Sequence, residues 1–384
     1  MQNYEFKQSI FKNELKELTR WSQRCGLTNI GFGREKSTYC YYAIAAATNY
    51  PHHSYVRTFV AKSAIMITVA DDFFDAQASL NELQDLTNAL RRWDSKGLRS
   101  HGKVIFDALD NLVSEAAEEY LQQGGTHNIK NSLEDLWYET FLSWLTETKW
   151  NKNGQAPSID EYMKNGMISI ATHTMILPAS CFLNPSLPYE KLKPNQYETI
   201  TELIMVICRL LNDIQSYERE IEEGKWNFLQ LHSMMNPNLG MEDSIAFGRE
   251  IIDKKKKEFL EHFLVDGHSD LPKSCKLLHL TCLKVFQMFY NSRNAFDSDT
   301  QLLEDINKAI YLPLSRNMKA SKIVSMHNSR PKMKHLSMQK PQLSWSFKHK
   351  STMSFCVHQV SRPVLRNGYA ILSLNPKAFL PAFI

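Results

Sequence analysis

Two apolar runs of this 384-residue chain end in oxygen-bearing side chains, and few folds tolerate that arrangement. Ala64-Ile65-Met66-Ile67-Thr68-Val69-Ala70 passes without a charge into Asp71-Asp72-Phe73-Phe74-Asp75. Leu203-Ile204-Met205-Val206-Ile207-Cys208 passes in the same way into Arg209, Asn212-Asp213, Ser216 and Glu220. An uncharged run of this kind reads as a buried helix, and acid at its mouth is costly unless paired or metal-bound. Asp71 and Asp75 are four residues apart, as are Asn212, Ser216 and Glu220 in turn, so each set lies along one helical face. Mg²⁺ prefers octahedral oxygen ligation, keeps several waters and is held by a few carboxylates plus substrate phosphate. Two such groups are what hard divalent cations need to grip a diphosphate. A lone D-D-x-x-D is ordinarily solvated helix surface; the apolar flanks and the second cluster argue for a site.

The remainder of the chain up to residue 313 is helical in pattern. Leu133, Leu136, Trp137, Thr140, Phe141, Trp144 and Leu145 recur at three- and four-residue steps, the period of a helix with one buried face. Ser158-Ile159-Asp160-Glu161 has the capping-box signature of a helix start. Breaks are expected at Asn153-Gly154-Gln155-Ala156-Pro157, Asn184-Pro185-Ser186-Leu187-Pro188 and Asn236-Pro237-Asn238-Leu239-Gly240. No alternating strand pattern and no internal repeat stands out. The reading is an all-α bundle with its ligands between helices.

Composition narrows the classes. Apolar residues make up 43 % of the chain, enough for a sizeable core. No run of 18 apolar residues offers a membrane span. Seven scattered cysteines without C-x-x-C predict reduced thiols rather than a disulfide frame or a zinc site. Residues 315–384 hold twelve of the 45 Lys/Arg and none of the 41 Asp/Glu, so this stretch carries +12 and the rest −8. It lacks the basic-aromatic interleaving of a nucleic-acid binder, and no nucleic-acid partner is expected. Two segments follow: a helical domain over 1–314 and a basic extension over 315–384, expected to be disordered. Nucleophile-elbow, P-loop and zinc-protease motifs are missing, and the thirteen histidines show no ligand spacing.

The two acidic motifs, with Arg209-Leu210-Leu211-Asn212-Asp213-Ile214, Arg219-Glu220 and Glu223-Gly224-Lys225, resemble those of class I terpene synthases, specifically the plant kaurene synthase-like diterpene synthases. Phe32-Gly33-Arg34-Glu35-Lys36, Tyr39-Cys40-Tyr41 and Glu161-Tyr162-Met163 carry the likeness further, over roughly residues 4–313. It implies the isoprenoid synthase fold and a catalytic α domain. Asp71 and Asp75 would hold one pair of Mg²⁺ ions, and Asn212, Ser216 and Glu220 a third, with Mn²⁺ as a substitute. Arg34, Arg209, Arg219 and Lys225 would grasp diphosphate, for which the planar guanidinium fork is well suited. Asp72 and Asp213 would orient these neighbours. The class II acid, Asp-x-Asp-Asp, is not present, so the chemistry would begin by ionising a diphosphate.

The same resemblance implies a small-molecule prenyl diphosphate substrate, here an ent- or syn-copalyl diphosphate cyclised to a kaurene-like or pimaradiene-like olefin. Ala43, where sesquiterpene synthases often carry Trp, would leave room for it. Tyr39, Tyr42 and Phe73 are candidates for an aromatic wall that stabilises a cation. Thr172-His173-Thr174-Met175 interrupts an apolar helix where kaurene synthases have an aliphatic kink, so His173, Thr174 and Met175 are candidate determinants of product. Phe289-Tyr290 keeps the family's aromatic pair, but Asn291-Ser292-Arg293-Asn294-Ala295-Phe296 departs from its acidic, Gly-containing loop. A chain-elongating prenyltransferase is the first rival, disfavoured because such enzymes carry two Asp-rich motifs; a catalytically weak truncated remnant is the second. Full-length relatives have further helical domains and a plastid transit peptide. Neither is read in this chain, which as written predicts a cytoplasmic protein.

Overall fold

The computed structural model describes residues 2–31, 36–48, 50–194, 196–292, 294–296 and 301–313. The expectation for the 315–384 extension lies outside the described residues, as does Arg34. Thirteen α-helices, joined by short 3-10 and π-helical turns and loops, make up most of the described chain. They are α1 Gln2–Arg24, α2 Ser37–Ala47, α3 Ser54–Asp72, α4 Leu80–Arg92, α5 Ser100–Gln122, α6 Lys130–Asn153 and α7 Ile159–Ser169. There follow α8 Thr172–Ser180, α9 Thr199–Glu222, α10 Phe228–Met235, α11 Met241–Leu264, α12 Lys273–Tyr290 and α13 Gln301–Ile306. Among the described residues there is no strand, and the all-α bundle read from the sequence is what the chain forms.

Local sequence explains the boundaries that place the site. The α6 stripe from Leu133 to Leu145 is buried at every position named above. Gly154 ends α6 in the left-handed region, at φ 62°, a conformation that costs glycine no Cβ clash. Ser158 then opens α7 with the expected box: its hydroxyl accepts from the Glu161 N–H at 3.2 Å, and Glu161 Oε2 accepts from the Ser158 N–H at 2.9 Å. Ala171, at φ 55°, separates α7 from α8. A non-glycine residue there is strained, so packing holds the break in place.

Helices α3 and α9 are the two acid-bearing elements, and each is wrapped by others. α3 packs on α2, α5 and α8; α9 packs on α7, α8, α10, α11 and α12. Burial of Ile65, Met66, Val69 and Ala70 on α3, and of Ile204, Met205, Ile207 and Cys208 on α9, is complete. Burying a side chain of this size stabilises by about 1.5–3 kcal/mol, so the acid clusters are fixed at the ends of well-anchored rods. The described cysteines are free thiols, and no described helix is long and apolar enough to cross a membrane.

Candidate active site

α3 does not end as a plain α-helix. Residues Phe73–Gln77 form one π-helical turn, closed by the Ala78 N–H donating to the Phe73 carbonyl at 3.2 Å. The wider turn sends Phe73 and Phe74 into the core while Asp75 stays exposed. Turns of this type cluster at functional sites. The spacing of Asp71 and Asp75 read as one α-helical face; the structure widens that face by the extra residue of the π turn.

Both acid clusters border one cavity of about 260 Å³. Asp71 and Asp75 from the α3 end, Asn212 and Glu220 from α9, and the cations Arg209, Arg219 and Lys225 all line it. Ser216 lies between Asn212 and Glu220 but is buried and outside the lining; its hydroxyl donates to the Asn212 carbonyl at 3.0 Å. Asp72, half-buried, is also outside the lining. Lys225 crosses between the clusters, donating to Asp75 Oδ2 at 2.7 Å and pairing with Glu223 Oε2 at 2.7 Å. Its ammonium is held above the ordinary lysine range by these carboxylates, against the opposing effect of burial.

Arg209 anchors a buried network on the cavity wall. Its Nε stands 2.8 Å from Asp213 Oδ1, an ion pair in which the N–H does not point along the line to the oxygen. Nη1 donates to Ser169 Oγ at 3.0 Å and to Glu147 Oε1 at 3.3 Å, and Nη2 donates to the Tyr162 hydroxyl. Tyr162 in turn donates to Asp213 Oδ2 at 3.0 Å. Burial pushes the Asp213 carboxyl above its ordinary range, while the Arg209 guanidinium pulls it back. Gly166 makes room for the arginine: a Cβ there would meet Arg209 Nε, Cδ and Cγ at 3.2–3.3 Å.

Much of the rest of the wall is apolar and aromatic. Phe74, Trp144, Trp150, Phe286, Phe289, Tyr290 and Phe296 border the cavity, together with Ala43 and Met175. Tyr39, Tyr42 and Phe73, the aromatics chosen from sequence, are instead buried outside the lining. The α6 contribution was missed: Trp144, Glu147, Thr148 and Asn151 all line the cavity. Their i, i+3, i+4, i+7 spacing is the signal that would have found them. Asn227 was missed as well; its amide donates to Glu220 Oε2 at 2.7 Å.

The structure separates the segment expected to determine product into two parts. Met175 faces the cavity. Thr174 Oγ1 donates to the Ala171 carbonyl at 2.7 Å, and Thr174 is not in the lining. His173 is fully buried against Thr140 Oγ1 (3.3 Å), Glu139 Oε2 (3.6 Å) and the Tyr197 ring (5.3 Å). Burial drives its imidazole down to about 3, so it is neutral. The freed carbonyl at the helix break claims the hydroxyl, as Ser and Thr side chains commonly allow.

Comparison with known proteins agrees with this geometry. The terpene synthase family, metal binding domain, matches residues 23–258. The fold and the paired clusters thus define a class of helical, metal-binding isoprenoid enzymes. The chain belongs to the terpene synthase family. It is 51 % identical over 313 residues to an (E,E)-geranyllinalool synthase of Arabidopsis thaliana and 50 % over 315 residues to an S-linalool synthase of Clarkia breweri. These matches cover 82 % of this chain but 36 % of each relative, so the chain spans about a third of their length. A chloroplastic ent-kaurene synthase of Vitex agnus-castus is 32 % identical over 321 residues, covering 82 % of this chain and 40 % of that one. The structure of isoprene synthase from grey poplar, solved with three Mg²⁺ ions and dimethylallyl-S-thiolodiphosphate, superimposes with a TM-score of 0.73 at 26 % identity. That match covers 80 % of this chain and 59 % of that one.

The residues present fit divalent metal. Among the described residues no three His, Cys, Asp or Glu side chains converge into a ready-made cage. The two walls offer a few hard oxygen donors each, which suits ions that keep waters and complete their shells with phosphate oxygens.

Proposed function

We propose that this chain is the catalytic domain of a class I terpene synthase that ionises a prenyl diphosphate. The observation that carries the reading is the convergence of two oxygen-donor clusters and three cations on the lining of one cavity with aromatic walls. Asp71, Asp75, Asn212, Ser216 and Glu220 would hold Mg²⁺, three ions in all, or Mn²⁺ in its place. Bound metal would neutralise the negative charge that grows on the leaving diphosphate. Arg209, Arg219 and Lys225 add positive charge to the same lining, and Arg34 is the fourth cation proposed to act on diphosphate. The allylic carbon–oxygen bond breaks heterolytically and its electron pair leaves with diphosphate. Donors already oriented towards that developing charge need little reorganisation as it forms. Phe74, Trp144, Phe286 and Phe289 line the cavity, where aromatic rings can stabilise the cation.

The relatives favour an acyclic substrate. Linalool and geranyllinalool are acyclic tertiary allylic alcohols, so this chain would ionise geranyl or geranylgeranyl diphosphate and add water to the tertiary carbon of the allylic cation. The proton lost by that water leaves to solvent or to diphosphate. A second reading, cyclisation of ent- or syn-copalyl diphosphate to a kaurene-like or pimaradiene-like olefin, is favoured by small Ala43 on the cavity wall and by the kaurene synthase relative. Incubation with Mg²⁺ and geranyl, geranylgeranyl or each copalyl diphosphate, followed by gas chromatography of the extract, separates them. An alcohol from an acyclic substrate supports the first reading, and an olefin from copalyl diphosphate alone replaces it with the second. Without product from any substrate, the enzyme reading itself fails.

A further inference from the structure

We infer that Asn227 is a positioning residue that presets Glu220 for metal, a role resting on the metal reading of the site above. Asn227 is fully buried at the start of α10, and both ends of its amide are engaged. Its Oδ1 accepts from the Leu229 N–H at 2.9 Å, the ordinary work of a helix cap. Its Nδ2 does something a cap does not require. It donates to Glu220 Oε2 at 2.7 Å and to the Asp213 carbonyl at 3.2 Å, reaching back to α9 from the next helix.

The consequence is directional. Glu220 stands near the C-terminal end of α9, where a long side chain is free to take many rotamers. One carboxylate oxygen is held by Asn227, which restrains the group while the side chain borders the cavity. Carboxylate ligands are ordinarily oriented by such outer hydrogen bonds, and losing one typically costs 10–100-fold in metal affinity. The bond to the Asp213 carbonyl ties the same amide to the helix that carries Asn212. Asn227 therefore links the α10 cap, the α9 backbone and the α9 carboxylate in one rigid unit. Aspartate, serine or threonine would cap α10 as well; among the good capping residues, only asparagine also brings an N–H donor to Glu220.

That difference supplies the experiment. Asn227→Ser keeps an oxygen for the Leu229 N–H but replaces the amide Nδ2 that reaches Glu220 with a shorter hydroxyl, whereas Asn227→Ala removes both. Mn²⁺ affinity is measured by electron paramagnetic resonance on the full chain with inorganic diphosphate, alongside thermal unfolding without metal. Asn227→Ser is expected to keep the unfolding temperature near that of the unaltered chain and to weaken Mn²⁺ binding tenfold or more. Asn227→Ala is expected to lose both. Combining Asn227→Ser with Glu220→Gln provides a second measurement, in which the serine is expected to add less than threefold to the loss from glutamine alone. Unchanged Mn²⁺ affinity in Asn227→Ser, or full additivity in the double variant, would reduce Asn227 to a helix cap and overturn the inference. If the unaltered chain binds no Mn²⁺ with diphosphate, the metal reading falls and takes this role with it.

Discussion

Two buried arginines of this molecule are built from nearly the same parts and do different things. Arg57 meets Glu14 with two bonds, Nε to Oε2 at 2.8 Å and Nη2 to Oε1 at 2.6 Å, while Tyr41 donates to the same Oε2 at 2.6 Å. Its Nη1 is spent on the Thr48 and Tyr50 carbonyls, at 3.0 and 2.6 Å. Arg209 likewise has a carboxylate, Asp213, and a tyrosine, Tyr162. The difference is in what lies beside them. Arg57, Glu14 and Tyr41 are sealed among α1, α2 and α3, and none of the three borders the cavity. Arg209 and Tyr162 border it, and Arg209 meets Asp213 without hydrogen-bond alignment. A closed ion pair locks helices together. One open to a cavity places charge on its wall.

Breaking the closed pair should have the largest effect on stability. Glu14→Ala leaves Arg57 buried without its counter-charge, a change that costs about 3–5 kcal/mol. Chemical denaturation should show that loss, while the protein that remains folded keeps its turnover. If stability hardly moved, the pair would not be the clamp described here. Changing the open side should do the reverse. Asp71→Ala or Glu220→Ala should lower turnover on the order of 10²–10³-fold, the usual cost of removing one stabiliser of developing charge, with little change in unfolding temperature. A variant that lost stability and activity together would erase the distinction between the two networks.

Smaller changes sharpen the contrast. Gly166→Ala presses a methyl group on Arg209 without touching any charge, and we expect a roughly tenfold lower kcat, since small misplacements of a catalytic group are felt strongly. Retention of full kcat would mean that Arg209 can shift without consequence. Subtlest is the α8 segment. Met175→Ile should change the ratio of products, because Met175 lines the cavity. Thr174→Val should leave that ratio alone and destabilise by about 1 kcal/mol through the lost bond to the Ala171 carbonyl. A shifted product ratio in Thr174→Val would put its hydroxyl back in the reaction.

Arg209 was legible in the sequence because it sits one turn from Asn212, among groups of matching chemistry. Arg57 carried no such signal: its partner Glu14 is remote in sequence, and only the packing of α1 on α3 brings them together. The all-α fold followed from periodicity, and the cap at Ser158 and the end of α6 at Gly154 followed from local backbone chemistry. Trp144 and Glu147 were recognised as helix or passed over, because an amphipathic face does not say whether it meets core or cavity. The π turn at Phe73–Gln77 left no mark that a four-residue spacing could reveal. Asn227 was passed over, since its contact with Glu220 exists only once α10 folds back on α9.

The central claim is that the open network works with metal to release diphosphate. Inorganic diphosphate set free from geranylgeranyl and geranyl diphosphate should be measured with the full chain, with Mg²⁺ and with excess chelator. Release matched to product, abolished by chelator and reduced at least 100-fold in Asp71→Ala, is the result predicted. Release that persists with chelator or survives Asp71→Ala would contradict it.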